Sequence, residues 1–174
     1  AVMDGSQGYQ PNDRRHTFKF FGSWEPVENL TVGWNATLQS GRPQSLFGQG
    51  YPSKDPNLNG GWGDTFYIYT NECPDTNGDG ECQQDEKIYE QHTRGTAGRT
   101  PWTFNLDLSA AYDFTVSDID MRATINVFNV LNSQEITSAN EHYEQNEGEV
   151  NSYYGSAYTW QAPRYVRLGF EARF

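Results

Sequence analysis

Asp75-Thr76-Asn77-Gly78-Asp79-Gly80-Glu81-Cys82-Gln83-Gln84-Asp85-Glu86 sets oxygen-bearing side chains at the intervals that a hard divalent cation requires. Calcium takes six to eight oxygen ligands, and a twelve-residue loop supplies them from positions one, three, five, seven, nine and twelve, with glycine at six for the sharp turn. Asp75, Asn77 and Asp79 fill the first three positions and Gly80 the sixth. Glu81 offers its backbone carbonyl at seven, Gln83 stands at nine, and Glu86 closes the shell at twelve. The predicted metal set is therefore Asp75, Asn77, Asp79, Glu81, Gln83 and Glu86, with Ca2+ as the ion and loop stiffening rather than catalysis as its role. Cys82 replaces the usual aliphatic residue at position eight, and no helical pattern flanks the loop. Cys73 lies nine residues before Cys82, so a Cys73–Cys82 disulfide would take over the bracing that helices give elsewhere. Closing a loop of that size contributes about 2–3 kcal/mol by the chain-entropy model. An acidic surface turn draws on the same Asp, Asn and Gly, and that plainer reading stays open.

Other chemistry is thin. His16, His92 and His142 are scattered without metal-ligand spacing. No G-x-S-x-G, P-loop or H-E-x-x-H stretch occurs, and nothing in the sequence gathers a Ser, a His and an Asp. No catalytic residue and no organic cofactor site is expected, and the chain is read as a non-enzyme.

The elements that carry this loop are strands. Apolar and polar residues alternate through Thr17–Trp24, Asn29–Gln39, Trp102–Phe114, Ile119–Leu131 and the final Arg164–Phe174. In the last of these, Val166, Leu168, Phe170, Ala172 and Phe174 share one face; Tyr165, Arg167, Gly169, Glu171 and Arg173 share the other. A short strand is expected near Phe66–Tyr69. Tight turns at Glu25–Glu28 and Thr115–Asp118 alternate with long polar stretches at Gly41–Thr100 and Asn132–Pro163. Short turns inside and long loops outside are the rule for outer-membrane barrels, whose strands put an apolar face to lipid and a polar one to the lumen. Outer loops are placed at about 1–15, 42–101 and 132–163. Trp102 to Phe114 spans roughly 12 steps of ~3.3 Å, which a tilt of ~40° projects to about 30 Å, enough for the apolar band and its aromatic girdles. On that register Lys19, Asp107, Asp113, Asp120, Arg122, Arg167, Glu171 and Arg173 face the lumen, to hold a plug, line a path or merely solvate the interior. The stretch 132–163 combines five Glu with Tyr143, Tyr153, Tyr154, Tyr158 and Trp160. That combination suits substrate capture and equally suits packing on neighbouring loops.

A net charge of −11 and a pI near 4.5 argue against a nucleic-acid partner, since phosphate contacts need Lys and Arg. No apolar run is long enough for a transmembrane helix. Five strands do not close a membrane barrel, and an open edge in lipid leaves backbone groups unpaired. The chain is thus expected to supply the last five strands of something larger, and the lack of a signal peptide at Ala1 agrees with a processed chain or a piece of one.

Several stretches carry a family resemblance. They are Pro11–His16, Gln39–Pro43, Gly98-Arg99-Thr100-Pro101-Trp102-Thr103-Phe104-Asn105-Leu106-Asp107, Val127-Phe128-Asn129-Val130-Leu131-Asn132-Ser133-Gln134, and Gln161–Phe170. With the terminal Phe174, these resemble the C-terminal β-barrel portion of TonB-dependent outer-membrane receptors of the Oar-like branch. The resemblance covers nearly the whole chain, 1–174, apart from loop interiors. It implies an all-β antiparallel transmembrane barrel of about 22 strands, filled by a plug that belongs to the rest of the receptor. It implies outer-membrane lipid around the barrel, the TonB complex as a partner of the parent molecule, an unknown substrate, and loops facing the cell exterior. The alternatives are a small surface-exposed structural or adhesion barrel without transport, and a soluble calcium-stabilised β-sandwich.

Overall fold

The computed structural model describes residues 4–53 and 64–173. Phe174, on which the terminal-strand reading drew, lies outside them, as does part of the 42–101 loop. The described residues form eleven strands and no helix, so among them no helix is long and apolar enough to cross a membrane, which says nothing about strands. The chain divides into two compact units, one of 14–41, 101–137 and 160–174, the other of 1–13, 42–100 and 138–159.

The first unit is a five-stranded antiparallel meander. Its strands are β1 (Thr17–Val27), β2 (Leu30–Gln39), β5 (Thr103–Val116), β6 (Ile119–Phe128) and β11 (Tyr165–Arg173), in the sheet order β1-β2-β5-β6-β11. Each long strand of the sequence reading is present, with ends that differ for local reasons. β1 runs through Pro26 to Val27 because the register shifts between Trp24 and Val27, and an edge-strand bulge tolerates a residue without an N–H. The turn moves to Glu28–Asn29, where Asn29 takes φ +65°. Asn29, assigned to the strand from its pattern, is therefore a turn residue. The second turn shortens to Ser117–Asp118, with both residues at positive φ, +49° and +64°. Such a two-residue turn matches the right-handed twist of the strands it joins.

β6 stops at Phe128 rather than Leu131. Asn129 adopts φ +48° and uses its amide as a clip. Its Nδ2 donates to the carbonyls of Ser133 at 2.9 Å and Ala162 at 2.7 Å, and its Oδ1 accepts the Ser133 N–H at 3.0 Å. Asn132 Oδ1 takes the Arg164 N–H at 2.9 Å. The Phe128-Asn129-Val130-Leu131-Asn132 motif thus ends one strand and starts another.

The second unit contains β3 (Tyr67–Tyr69) paired with β4 (Tyr89–Gln91), and β8 (Glu144–Asn146) paired with β9 (Glu149–Val150). β7 (Ile136–Ala139) and β10 (Ala157–Trp160) form a further pair, whose residues fall in both units. The described residues of the stretches read as outer loops form small sheets and isolated bridges such as Gly48–Thr65. Short strands of three residues carry too little alternation to be seen in sequence, and only the one near Phe66–Tyr69 was expected.

The second unit also holds the buried apolar side chains Phe66, Tyr67 and Ala139. Around them the interior is polar. Glu144, 2% exposed, accepts N–H bonds from Gln49 at 2.9 Å, Tyr69 at 3.0 Å and Gly148 at 3.2 Å. A buried carboxylate is tolerated when charge-assisted bonds replace its hydration.

Candidate functional site

The candidate cation loop lies in the second unit, and the Cys73–Cys82 disulfide is formed, with the two Cα atoms 5.8 Å apart. Gly78 and Gly80 take φ of +78° and +80°, turning the chain so that loop amides point at the acidic side chains. Asp75 Oδ1 accepts from Gly78 N at 2.6 Å and its Oδ2 from Gly80 N at 2.9 Å. Asn77 Oδ1 accepts from Asp79 N at 2.9 Å, and Asp79 Oδ1 from Glu81 N at 2.8 Å. Gln83 Nε2 reaches Asp79 Oδ2 at 2.6 Å.

Glu86 closes the loop back on its start. Its Oε1 accepts the Thr76 N–H at 2.7 Å and the Thr76 hydroxyl at 2.8 Å, and its Oε2 the Gln83 N–H at 3.3 Å. The Thr76 hydroxyl and amide hold the Glu86 carboxyl below its ordinary value near 4.5. Asp75, Asn77, Asp79 and Glu81 are exposed, Gln83 is half-buried and Glu86 is buried. Among the described residues, no three Asp, Glu, His or Cys side chains converge closely enough to hold an ion. The loop is closed instead by its own amides, which occupy some but not all of the roughly four lone-pair directions of each carboxylate.

This loop is tied into the rest of its unit by residues that sequence reading passed over. Gln84, 6% exposed, donates to the Tyr51 carbonyl at 3.0 Å and to the Tyr89 hydroxyl at 2.6 Å. Tyr89 in turn bonds Glu147, which pairs with Lys87 at 2.6 Å. Burial first, then Glu147, pushes the Tyr89 phenol above its ordinary range. Packing thus explains part of the acidic, aromatic stretch 132–163. Glu144 and Glu147 are structural, and Tyr143 packs edge-on to Tyr154, whereas Tyr153 and Tyr158 are exposed.

The sheet offers two surfaces of opposite character. Its pairings bring Phe20 to Ala36, Ala36 to Leu106, Leu108 to Val127 and Val127 to Val166, so the apolar sets of all five strands share one face. That face is open, with Phe20 70%, Leu168 75% and Phe170 66% exposed. The eight charged residues expected on the opposite face lie there together by the same register. Phe21, 74% exposed, and Tyr165, 46% exposed, are large apolar side chains among them.

The polar face is banded across the strands. At the turn end, Asp113-Arg122-Glu171 and Thr115-Asp120-Arg173 form two charged rows. Arg122 grips Asp113 through Nε at 2.7 Å and Nη2 at 2.8 Å, and a groove of about 420 Å3 runs along these residues. Two rows of small or polar residues follow, Thr31-Ala111-Thr124-Gly169 and Ser23-Gly33-Ser109-Asn126-Arg167. Aromatic and amide side chains come next, with Phe21 opposite Asn35, Asn35 opposite Asp107, and Phe128 opposite Tyr165.

No family model matches the chain. No solved structure matches it either. The TonB-dependent transporter Oar of Myxococcus xanthus is similar to it, 23% identical over an alignment of 213 residues. The alignment takes in 99% of this chain and 17% of the transporter, so the chain spans about one sixth of that relative's length. The likeness, weak in identity but extending over nearly the whole chain, is to a piece of a TonB-dependent transporter.

Proposed function

We propose that the chain is the C-terminal part of a TonB-dependent outer-membrane receptor that moves a substrate across the outer membrane. The carrying observation is the open apolar face that runs in register through all five strands, backed by a charged and polar face. A membrane barrel needs that division, lipid outside and polar lumen inside. A water-soluble sandwich buries such a face against a second sheet, and the described residues place none over it. The similarity to a TonB-dependent transporter points the same way. β1 and β11 are the two edges of the meander, and on this reading strands from the rest of the receptor, in a barrel of about 22 strands, pair with them. A plug would fill the lumen and the TonB complex would act on the parent molecule. The turns at Glu28–Asn29 and Ser117–Asp118 would face the periplasm, and the stretches 42–101 and 132–163 the cell exterior.

The loop Asp75–Glu86 is proposed to bind Ca2+. Its donors are hard oxygens in the right order, and the disulfide braces it without helices. Asp75, Asn77, Asp79 and Glu86 would hold the ion with the Glu81 carbonyl and Gln83, and the ion would stiffen the loop. Extracellular calcium modules work at dissociation constants of about 10⁻⁴–10⁻³ M. Calorimetric titration of the purified protein with calcium chloride should show binding in that range or tighter, lost in Asp75→Ala. Absence of heat at millimolar calcium would remove the ion from the account. The receptor reading is tested by locating the natural polypeptide that contains this chain and measuring its denatured mass. A heat-modifiable outer-membrane protein several times heavier than this chain supports it; a protein of the soluble fraction overturns it.

A further inference from the structure

The five-stranded unit carries a second charge pattern besides that of its polar face. Outside the eight charges of that face, the described charged residues of the unit divide between its two ends. Arg14, Arg15 and Arg164 stand at the loop end, with Glu135 as its acid. Glu25, Glu28 and Asp118 stand at the turn end. In a chain of net charge −11, three arginines thus lie along one rim of the sheet.

At the β1 corner of that rim the arginines meet aromatic rings. The pairing of β1 with β2 runs one step past the strands: the His16 N–H donates to the Ser40 hydroxyl at 3.1 Å and the Ser40 N–H to the His16 carbonyl at 2.9 Å. Alternation then puts His16 on the same side as Phe18, which lies opposite Leu38 on the apolar face. The imidazole is near parallel to the Phe18 ring, with centroids 6.4 Å apart and planes at 14°, and to Trp102, at 5.9 Å and 8°. Phe18 is 60% exposed and Trp102 47%. Neither ring nitrogen of His16 has a hydrogen bond among the described residues. Arg14 Nη1 donates to the Ser40 carbonyl at 2.6 Å, which fixes its guanidinium beside this group, and Arg15 follows in the chain. Asp13, the nearest acid in sequence, is held by Arg99 at 2.5 Å.

We propose that Arg14, Arg15 and His16 form a docking site for the phosphate of an anionic lipid headgroup in the outer leaflet, an inference that rests on the receptor reading above. On that reading Phe18 and Trp102 lie at the membrane interface, where amphipathic rings settle at headgroup level. His16 stands two residues further toward the loops, about 5 Å higher along a strand tilted by ~40°. A phosphate at that height meets an imidazole N–H donor and two guanidinium charges, while the acyl chains below it meet the open apolar face. Each arginine close to an anionic membrane surface adds to the attraction. The acids of the other end, Glu25, Glu28 and Asp118, disfavour the same headgroup, so the preference belongs to one leaflet. A phosphate without chains gains only the charge contacts, which salt screens. The rings and the apolar face below them make a lipid the occupant.

The test uses the natural polypeptide containing this chain, purified and delipidated in detergent, with dioleoylphosphatidic acid, dioleoylphosphatidylcholine and inorganic phosphate as probes. Native mass spectrometry should show phosphatidic acid bound about tenfold more tightly than phosphatidylcholine, a preference that shrinks as the ionic strength rises toward about 0.5 M. Arg15→Gln should weaken phosphatidic acid about fivefold, the scale of one basic residue at an anionic membrane. Arg14→Gln, Arg15→Gln and His16→Gln together should weaken it by more than about tenfold and leave phosphatidylcholine unchanged. Glu25→Gln with Glu28→Gln, at the turn end, should weaken neither lipid. If the triple variant fails to fold, as read by heat-modifiable migration, Arg15→Gln decides. Equal affinity for the two lipids, no effect of the loop-end variants, or displacement of phosphatidic acid by an equal concentration of inorganic phosphate overturns the site. Membrane fractionation of the parent protein is read separately: a soluble parent overturns the receptor reading, whereas a membrane-inserted parent without the lipid preference overturns the headgroup site alone.

Discussion

The five-stranded sheet and the loop-built unit solve the problem of burial in opposite ways. On the sheet, Phe20, Leu168 and Phe170 are well over half exposed, and the polar face carries bonded charge such as the Asp113–Arg122 pair. In the loop-built unit, Phe66 and Tyr67 are buried, and the best-buried side chain is a carboxylate, Glu144, held by three backbone amides. The sheet's apolar residues cover one another only in part, as Phe114 does Phe170, so the rest of their stabilisation has to come from the surroundings; on the receptor reading that solvent is lipid. The loop-built unit is held by hydrogen bonds, a disulfide and a small apolar centre. The difference teaches that hydrophobic content alone does not locate a core, because what matters is which solvent a face meets.

Putting a charge on the open apolar face breaks the comparison most sharply. Ile125→Arg, mid-strand on β6, should cost about 2–4 kcal/mol if that face meets lipid at mid-depth, read as loss of the heat-modifiable form. Thr124→Arg, one residue away on the polar face, should leave assembly intact. Equal effects would remove the lipid assignment. Next in size is the disulfide. Cys73→Ser with Cys82→Ser should loosen the cation loop by about 2–3 kcal/mol, seen as faster proteolysis within 73–86 while amide exchange in the sheet is unchanged. Glu144→Gln removes the charge from three amide bonds and should cost about 2 kcal/mol, with faster exchange at Gln49, Tyr69 and Gly148 and no change in the five-stranded sheet.

Acid sharpens the contrast more gently. The Glu86 carboxyl is held below its ordinary value near 4.5 by Thr76. A depressed folded value binds fewer protons than the unfolded chain, so its stabilisation is present above that value and lost as pH falls through the folded one. Amide exchange at Thr76 and Asn77 should therefore quicken as pH drops below about 4.5, after correction for intrinsic rates, and Glu86→Gln should flatten that dependence. Tyr67 acts at the other end of the scale. Burial and its bond to Asp4 push the phenol up to about 12, so its contribution is full below 10 and fades between those values. The smallest effect is expected at Asp113→Asn. The pair is more than two-fifths exposed on both sides, so the denaturation midpoint should barely move.

Alternation with period two settled the long strands and their faces from sequence, because side-chain direction in a strand is fixed by position and a one-residue slip would invert every face. The two tight turns were visible within a few residues, and the spacing of Cys73 and Cys82 was short enough to make their bond a local matter. Other features depended on partners distant in the chain. Glu144 reads as one more acid in an acidic stretch, and only the arrival of Gln49, Tyr69 and Gly148 turns it into an interior anchor. Asn129 looks like a mid-strand residue until a positive φ and the Ala162 carbonyl make it the end of β6. The stack of Phe128 on Tyr165, beside Asp107, joins three strands that sequence order keeps apart. The sequence by itself determined the five long strands, their two faces and the order of oxygen donors in the loop, since these are set by neighbours. Only the tertiary structure decided what each buried polar group bonds and where a pocket opens, since those depend on pairing across dozens of residues.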